Sequence, residues 1–516
     1  MSRHLGITLP LSAMPSSSSW GIGEIGDLDR FAVWLEQAGC DRLMLLPIGT
    51  MPSGTTSPYS ACSAMAIDPI YLSVEALEDV RAIGGTASLG DDNRRLIAAA
   101  RGSARVKFAD VRKVKEGVLA LAWERFLRDE WADRTTRAAE FAGFTSRERW
   151  WLDDYALFRA CETMWPGLTW RDWPEAIARR NEAALHELRR QLHVEIRFTQ
   201  YVQWLADQQW RAARRALHVR GIALFGDLPF VVDAHSADVW SRQEEFLIDV
   251  SVGAPPDTFS DAGQDWGLPM YRWDVIAASD FAWIRNRARR MAALYDGFRV
   301  DHLVGFYRTY GRAPNGDRFF LPDNEETQLW QGEQVIKAFL GAGADVVAED
   351  LGTVPDFVRA SIARLGVGGY KVLRWERLWN EPGQPLLMPS HYPRRSVATT
   401  GTHDTEPIAV WWDQAPPDER VAVVDLLNRV GLGQRDPGAG WSDELRDVVL
   451  TVVMMTASDQ VILPIQDVFG WRDRINIPGT VGDHNWTWRL PWPVDQWPAH
   501  PEATARAAFL RAVHRG

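Results

Sequence analysis

Cysteine is scarce in this chain of 516 residues, which has three, at positions 40, 62 and 161. Three scattered cysteines are too few for a disulfide framework or a zinc site, and we expect Cys40 and Cys62 to be buried thiols. No apolar run approaches the ~20 residues that span a bilayer. Residues 5–14 have the character of a short signal-peptide core, but Pro10 interrupts them, and we interpret them as a first strand. These absences favour a cytoplasmic protein.

Positive charge is also in short supply. The chain has 57 Lys and Arg against 68 Asp and Glu, which gives a formal net charge of −11. Because phosphate binding needs a basic face, this balance disfavours nucleic acid as a partner. Tryptophan is abundant by contrast, with 26 residues against 10 Tyr. Tryptophan has a broad apolar face and one N–H donor, which suits stacking on sugar rings, although most such residues pack helices.

Eight short apolar segments alternate with amphipathic helical stretches along the chain. Alternating strands and helices predict βαβ units and a parallel sheet. Eight units favour a closed (β/α)8 TIM barrel over an open sheet, so the predicted fold class is α/β. The predicted strands are residues 5–9, 42–48, 222–228, 296–302, 344–350, 370–376, 396–401 and 460–465.

The spacing of these strands is uneven. About 170 residues separate the second strand from the third, and most of them show helical periodicity. We therefore predict a helical subdomain over residues 71–220, inserted after the second strand on the catalytic side of the barrel. Residues 233–275 are rich in Gly, Pro, Asp and Trp and predict an active-site loop insertion. We treat residues 1–516 as a single catalytic domain with these two insertions.

Six apolar runs finish on an acidic residue, one of them on a His-Asp pair. A parallel barrel places such strand-end charges around one mouth. Three or more carboxylates that converge on one cleft suit glycosidic-bond chemistry. The six acids are Asp227, Asp301, Glu349, Glu376, Asp404 and Asp467.

Three of the acids have neighbours that favour catalysis. Asp301 follows Arg299, whose charge favours an ionised carboxylate able to attack an anomeric carbon, although a structural Arg–Asp pair is an alternative. Glu349 ends a buried strand, where partial desolvation raises a carboxyl pKa and lets the group protonate a leaving oxygen. His403 and Asp404 can bind sugar hydroxyls. The alternative is that His403 and Asp404 bind a metal ion. No further group of His or Asp residues occurs at the spacing of metal ligands, which disfavours it.

A glycine-rich segment at residues 21–26 (GIGEIG) matches the G-x-G-x-x-G pattern of dinucleotide-binding turns. In such turns the glycines stand directly at the strand end, where the backbone meets the pyrophosphate. Here eleven residues intervene after the predicted first strand. We interpret the segment as a glycine-shaped loop before a helix, with no nicotinamide cofactor.

With these motifs in place, the chain resembles the amylomaltase, or 4-α-glucanotransferase, family (glycoside hydrolase family 77), which is related to the α-amylases. The resemblance extends over almost the whole chain, from residue 20 to residue 489. Its order and spacing make it specific. The matching segments include 57–59 (SPY), 226–229 (GDLP), 253–257 (GAPPD), 263–267 (GQDWG), 271–274 (YRWD), 348–352 (AEDLG) and 476–479 (NIPG).

The resemblance assigns roles to individual residues. It implies Asp301 as nucleophile, Glu349 as general acid/base and Asp404 as transition-state stabiliser. It also implies substrate contacts from the donor sugar site and from a loop that covers the cleft. These are Tyr59, Asp227, Phe259, Gln264, Trp266, Arg299, His302 and His403.

The predicted reaction is a retaining double displacement, without metal or cofactor. It moves α-1,4-glucan segments from a maltooligosaccharide or starch-like donor to the 4-hydroxyl of a sugar acceptor, through a covalent glycosyl-enzyme intermediate. Two alternatives stay open: a retaining α-glucan hydrolase with the same machinery, and a non-catalytic glucan-binding protein. Departures from the family pattern at Leu303, Val304, Thr405 and Glu406 lie close enough to the cleft to alter acceptor choice or the balance of transfer and hydrolysis.

Overall fold

The structure is a computed structural model that describes residues 3–256 and 263–515. The described residues form these strands: β1 His4–Leu9, β2 Arg42–Leu45, β3 Ala223–Leu228, β4 Phe246–Ala254, β5 Gln264–Tyr271, β6 Gly297–Val300, β7 Thr309–Arg312, β8 Arg318–Leu321, β9 Asp345–Ala348, β10 Gly368–Val372, β11 Ser396–Thr399 and β12 Gln460–Pro464.

Helices surround and connect these strands. Their bounds are α1 Asp27–Ala38, α2 Glu78–Ala82, α3 Asp91–Gly102, α4 Phe108–Phe126, α5 Thr136–Met164, α6 Glu175–Ala178, α7 Glu182–Gln191, α8 His193–Val219, α9 Ala237–Ser241, α10 Trp273–Ala278, α11 Ala282–Leu294, α12 Val304–Tyr307, α13 Glu325–Leu340, α14 Asp356–Arg364, α15 Ile408–Gln414, α16 Pro417–Arg429, α17 Asp443–Met454, α18 Ile465–Phe469 and α19 Pro501–Arg515.

Eight parallel strands close into a barrel in the order β1-β2-β3-β6-β9-β10-β11-β12, and β12 pairs with β1. These are the eight strands that the sequence predicts, so the TIM-barrel prediction is confirmed. Short apolar strands close in this way because side chains fill the barrel interior. One cluster of buried apolar side chains takes a residue from each of six barrel strands: Met44, Phe225, Val347, Tyr370, Val397 and Ile462.

The largest difference between predicted and observed strand bounds is at β10. β10 begins earlier than expected and ends at Val372, so Glu376 lies beyond the strand. There the Glu376 carboxylate pairs with Lys371 at 3.5 Å.

The long segment between β2 and β3 contains α2 to α8. A buried ion pair ties it to the loop before α1, because Lys115 Nζ on α4 lies 2.8 Å from Glu24 Oε1. The same ammonium donates to the main-chain oxygens of Ile70 and Leu72, both at 2.7 Å. The segment is therefore held to the barrel by desolvated polar contacts as well as by apolar packing. Its status as a subdomain over residues 71–220 stays a prediction.

A second sheet is absent from the sequence-based prediction. It is four-stranded, in the order β5-β4-β7-β8, and its strands run antiparallel. Two of these strands, β4 and β5, lie in the segment 233–275, which is therefore more regular than a loop. Its role as an active-site insertion stays a prediction.

The glycines of residues 21–26 are explained by close packing. A Cβ atom on Gly23 would lie 1.8 Å from the main-chain oxygen of Leu11, and one on Gly21 would lie 2.6 Å from Ala100. Gly21 also has a φ of +88°, a conformation that L side chains disfavour. This agrees with the interpretation of the segment as a shaped loop.

Candidate active site

Asp301 and Glu349 stand at the same level on neighbouring strands. They directly follow Val300 and Ala348, the last residues of β6 and β9, and these two residues are register partners. Neighbouring strands lie about 4.8 Å apart, so the two acids leave the barrel side by side at its C-terminal mouth. The Glu349 N–H donates to the Val300 carbonyl at 3.0 Å, which continues the ladder to this point.

Arg299 lies among three carboxylates. It is the register partner of Asp227 on β3, and its Nη1 donates to Asp227 Oδ2 at 2.5 Å. Its Nη2 is 3.0 Å from Asp301 Oδ1 and 4.0 Å from Glu349 Oε2. Burial lowers the pKa of Arg299, but Asp227 and Asp301 raise it by more, so the guanidinium stays charged. One nitrogen therefore approaches both acids at the strand ends.

Burial raises the pKa of both Asp301 and Glu349. Arg299 opposes this in each case, but desolvation and the neighbouring carboxylates outweigh it. The expectation from the sequence that Arg299 keeps the pKa of Asp301 low is therefore wrong. Glu349 is also fixed by two backbone donors, the N–H groups of His302 and Leu351, each at 2.9 Å. The site therefore holds a proton at pH values where an exposed carboxylate pair would have lost it.

His403 and Asp404 form a second charged pair across the mouth. His403 Nε2 lies 3.3 Å from Asp404 Oδ2, and Asn476 Nδ2 donates to Asp404 Oδ1 at 2.6 Å. Burial raises the pKa of Asp404, but His403 and Asn476 lower it by more, to well below its usual range. Burial lowers the pKa of His403, and Asp404 more than reverses this shift. The pair thus favours an ionised Asp404 beside a protonated imidazole.

Tyr59 connects the carboxylates around Arg299 with the His403–Asp404 pair. Its hydroxyl donates to Asp227 Oδ2 at 2.6 Å. Its ring stacks on His403 with 5.2 Å between centroids and 16° between planes. On another side the ring contacts Trp486 at 5.5 Å. An aromatic surface therefore continues from Tyr59 at the edge of the carboxylate cluster.

His302 and Trp266 make contact beside the paired acids. The Trp266 ring meets His302 edge to face at 4.8 Å, and its Nε1 donates to Gln264 Oε1 at 3.0 Å. Phe230 meets His302 in the same manner at 5.3 Å. Burial lowers the pKa of His302 to about 4, so the ring is neutral at physiological pH. The remaining predicted contact from this region, Phe259, lies outside the described residues.

The last of the strand-end acids, Asp467, has a local structural contact. Its Oδ1 accepts a hydrogen bond at 2.8 Å from the N–H of Ile408, the first residue of α15, and its Oδ2 accepts one from Thr400. Burial raises the pKa of Asp467 to about 6. This carboxylate holds the β11 loop against α18.

Two residues at the site were not singled out from the sequence. Asn476 orients Asp404, and Trp486 packs on Tyr59. Asn476 belongs to the NIPG segment at 476–479, which is one of the segments that match the family pattern. Its partner Asp404 lies on the loop after β11, 72 positions earlier, so the contact could not be inferred from the segment itself. Within residues 3–256 and 263–515, no three His, Cys, Asp or Glu side chains group as metal ligands do. None of the described helices combines the length and apolar character needed to traverse a bilayer.

A closed parallel barrel with converging carboxylates at its C-terminal mouth is the arrangement expected of barrel enzymes that act on glycosidic bonds. Within that class, the chain belongs to the 4-alpha-glucanotransferase family, whose sequence profile matches residues 9–495. The resemblance noted from the sequence is confirmed.

Individual relatives agree over nearly full length. The chain is 32% identical to the 4-alpha-glucanotransferase of Thermus thermophilus, over 95% of either protein. It is 28% identical to that of Chlamydia pneumoniae, over 94% of this chain and 91% of the relative. Among solved structures, the amylomaltase from Streptococcus agalactiae in complex with acarbose superposes with a TM-score of 0.82 at 26% identity, covering 99% of this chain and 98% of that one.

Proposed function

We propose that this enzyme is a retaining 4-α-glucanotransferase that moves α-1,4-glucan segments from a maltooligosaccharide or starch-like donor to the 4-hydroxyl of an acceptor sugar. The observation that carries the proposal is the placement of Asp301 and Glu349 at one level of adjacent strands, with Arg299 Nη2 within 4.0 Å of both. Retaining glycosidases hold their two carboxyl groups about 5–5.5 Å apart, which is close to one strand spacing.

In the first half-reaction, Asp301 attacks the anomeric carbon while Glu349 protonates the leaving glycosidic oxygen. A bond forms between the aspartate oxygen and the anomeric carbon, and the shortened glucan leaves with the proton from Glu349. Arg299 supports this division of roles. It lies closer to Asp301 than to Glu349, so its charge offsets part of the burial-driven rise in the pKa of Asp301 and favours the carboxylate form that attacks.

In the second half-reaction, Glu349 acts as the base. It takes the proton from the 4-hydroxyl of the acceptor, whose oxygen then displaces Asp301 from the anomeric carbon. Glu349 is again protonated at the end, and Asp301 is again a carboxylate. The two backbone N–H groups that hold Glu349 keep its orientation through both steps.

The transition state is stabilised from the opposite side of the site. Asp404 and His403 bind ring hydroxyls whose hydrogen bonds strengthen as the sugar distorts toward an oxocarbenium ion. Tyr59 supplies an aromatic surface for the donor sugar, and its hydroxyl bonds to Asp227 at 2.6 Å. Asp227 and Arg299 complete the polar wall.

Transfer requires that the acceptor sugar reach the intermediate before water does. Trp266, Gln264 and His302 cluster beside the paired acids and support an acceptor position there. A retaining hydrolase would use the same carboxylates, but the near full-length relatives are named 4-alpha-glucanotransferases. A glucan-binding protein without catalysis would have no need of the ordered set of Asp301, Glu349 and Asp404.

The proposal includes a cytoplasmic location. It is supported by three cysteines that are all buried and unpaired, as is usual in a reducing compartment. Location of the active enzyme in a soluble cell fraction, with reduced thiols, is the matching measurement.

Incubation with maltotriose tests the reaction, with the products resolved by chromatography. Glucose together with chains longer than three units is expected. Glucose and maltose as the only products would identify a hydrolase. Maltotriose that stays unchanged in the presence of several acceptors would contradict both the transferase and the hydrolase. Asp301→Asn should abolish turnover, whereas Asp249→Asn, at a largely exposed ion pair with Arg171, should leave it unchanged.

A further inference from the structure

Three residues from the segments that follow three successive barrel strands form an ionic chain that reaches Asp404. Arg374 follows β10, Glu406 follows β11 and Arg474 follows β12. Glu406 Oε1 accepts from Arg374 Nη1 at 2.7 Å, and Oε2 lies 3.6 Å from Arg474 Nη1. Arg474 Nη2 donates to the main-chain oxygen of Asp404 at 2.8 Å. The carboxylate of Glu406 thus bridges two arginines, one of which holds the backbone at the site.

Arg474 also fixes the residue that orients the Asp404 carboxylate. Its Nε donates to the main-chain oxygen of Asn476 at 3.2 Å, and Asn476 Nδ2 donates to Asp404 Oδ1 at 2.6 Å. One guanidinium therefore holds the main chain of both Asp404 and Asn476. Displacing it would loosen two sides of the carboxylate together.

The Arg374 end of this ionic chain is buried. The Arg374 side chain is 4% exposed, and its guanidinium carbon lies 5.2 Å from the ring centroid of Trp411. Burial lowers the pKa of Arg374, and Glu406 opposes this. Since a buried cation needs a paired charge, Glu406 is held to Arg374 and cannot swing freely. The anchored carboxylate in turn gives Arg474 a fixed counter-charge.

The loop between His403 and Glu406 is tied down locally as well. Thr405 Oγ1 accepts from the Thr402 N–H at 3.0 Å and donates to the Thr402 carbonyl at 3.0 Å. Thr405 and Glu406 are positions at which the chain departs from the family pattern. These two residues therefore lie in the loop that carries Asp404, and their contacts hold that loop in place.

We propose that Glu406 is a positioning residue for Asp404, acting through Arg474. It does not touch the substrate. It keeps Arg474 on the Asp404 and Asn476 main chain, so that the third carboxylate meets the distorted sugar ring in a fixed geometry. The proposal rests on the transferase function above and deepens it by identifying what holds the transition-state stabiliser in place.

Glu406→Gln tests this in the maltotriose assay, with Glu419→Gln as the matched control. Glu419 pairs with Arg377 at 2.6 Å in a partly buried setting and stands outside the chain of contacts to Asp404. Because misplacement by about 1 Å can cost about 10²-fold in rate, Glu406→Gln should lower kcat at least ten-fold. KM should change less than three-fold, and Glu419→Gln should stay within two-fold of the wild type. A Glu406→Gln kcat within two-fold of the wild type would overturn the proposal.

Two further variants separate positioning from general destabilisation. Glu406→Asp keeps the charge and should recover most of kcat. Arg474→Lys keeps a charge for Glu406 but cannot donate to both carbonyls, so it should lose kcat as Glu406→Gln does. If Glu406→Gln fails to fold, Glu406→Asp and Arg474→Lys provide the test. Equal kcat values for these two variants would contradict the proposal. In an Asp404→Asn background with an activated glycosyl donor, Glu406→Gln should change the residual rate less than two-fold.

Crystal structures of the wild type and Glu406→Gln give a readout that is independent of activity. Arg474 Nη2 should move beyond hydrogen-bond distance of the Asp404 oxygen in the variant. If the wild type shows no transfer of glucan, the proposed function is wrong. The movement of Arg474 in the crystal structures still tests whether Glu406 positions it. An unchanged Arg474–Asp404 contact in the variant would overturn the positioning role whatever the activity.

Discussion

The Tyr59 hydroxyl donates a 2.6 Å hydrogen bond to Oδ2 of Asp227, and that oxygen also accepts from Arg299. Tyr59 follows β2 and Asp227 lies on β3, so the contact joins a loop to the barrel wall. The same phenol ring stacks on His403. Tyr59 is therefore placed by its hydroxyl on one side and by its ring on the other, and these contributions are separable by mutation.

Tyr59→Phe should lower kcat/KM about ten-fold, because a hydrogen bond to a charged group contributes roughly 1.5 kcal/mol or more. The ring contact with His403 survives in this variant, so the fold should be unchanged. Steady-state kinetics with maltotriose measure the effect. Tyr392→Phe is the control, since within the described residues the buried Tyr392 hydroxyl has no hydrogen-bond partner. An equal effect from both variants would contradict the role of the Tyr59 hydroxyl.

Asp301→Asn should stabilise the folded protein at neutral pH and should also abolish turnover. Burial raises the pKa of Asp301 above its unfolded value, so the folded state binds this proton more tightly. The favourable contribution is complete below the unfolded pKa of about 3.9 and is lost as pH rises through the folded pKa.

Asparagine avoids that loss because it carries no charge. We expect the free energy of unfolding to rise on the order of 1 kcal/mol at pH 7, and this gain should disappear near pH 4. Urea unfolding midpoints measured across this pH range test the prediction. Asp249→Asn, with its largely exposed carboxylate, should show no such pH-dependent gain. A gain that is equal at pH 4 and pH 7 would point to another cause.

Trp266→Ala should shift the products from transfer toward hydrolysis. The Trp266 ring packs against His302 at 4.8 Å, beside Asp301 and Glu349. Removing this surface opens the intermediate to water and removes a contact for the acceptor sugar. The ratio of elongated products to free glucose should fall at least about three-fold, whereas Trp330→Ala, at a half-exposed position on α13, should leave it unchanged.

Lys115→Met should destabilise the protein by about 3–5 kcal/mol, because it leaves Glu24 buried without its charge partner. It also removes the donor to two main-chain oxygens. Thermal and urea unfolding measure the loss. Arg190→Met, at an exposed pair with Glu187, should change stability by less than about 0.5 kcal/mol. Adding Glu24→Gln to Lys115→Met should restore part of the loss, and an additive loss would contradict the pairing.

All eight barrel strands were predictable from the sequence because their signal is local. Each is a short apolar run between turn residues, and alternation with helices implies a parallel sheet. The second sheet was missed for the opposite reason. Its strands β4 and β5 pair through an irregular register, and a composition rich in Gly, Pro and Asp is typical of loops.

The sequence by itself determined the barrel and the residues that end its strands, since apolar runs and their terminal acids are written in consecutive positions. Only the tertiary structure decided which of those acids meet. Closure of the barrel brought Asp301 beside Glu349, and it brought Asn476 and Arg474 to Asp404 across some 70 positions of chain. The tertiary structure also decided the protonation of Asp301. The sequence shows that Arg299 is near this carboxyl group, but it does not show how far burial removes the group from water. Desolvation and contact depend on the closed fold, which no local pattern specifies.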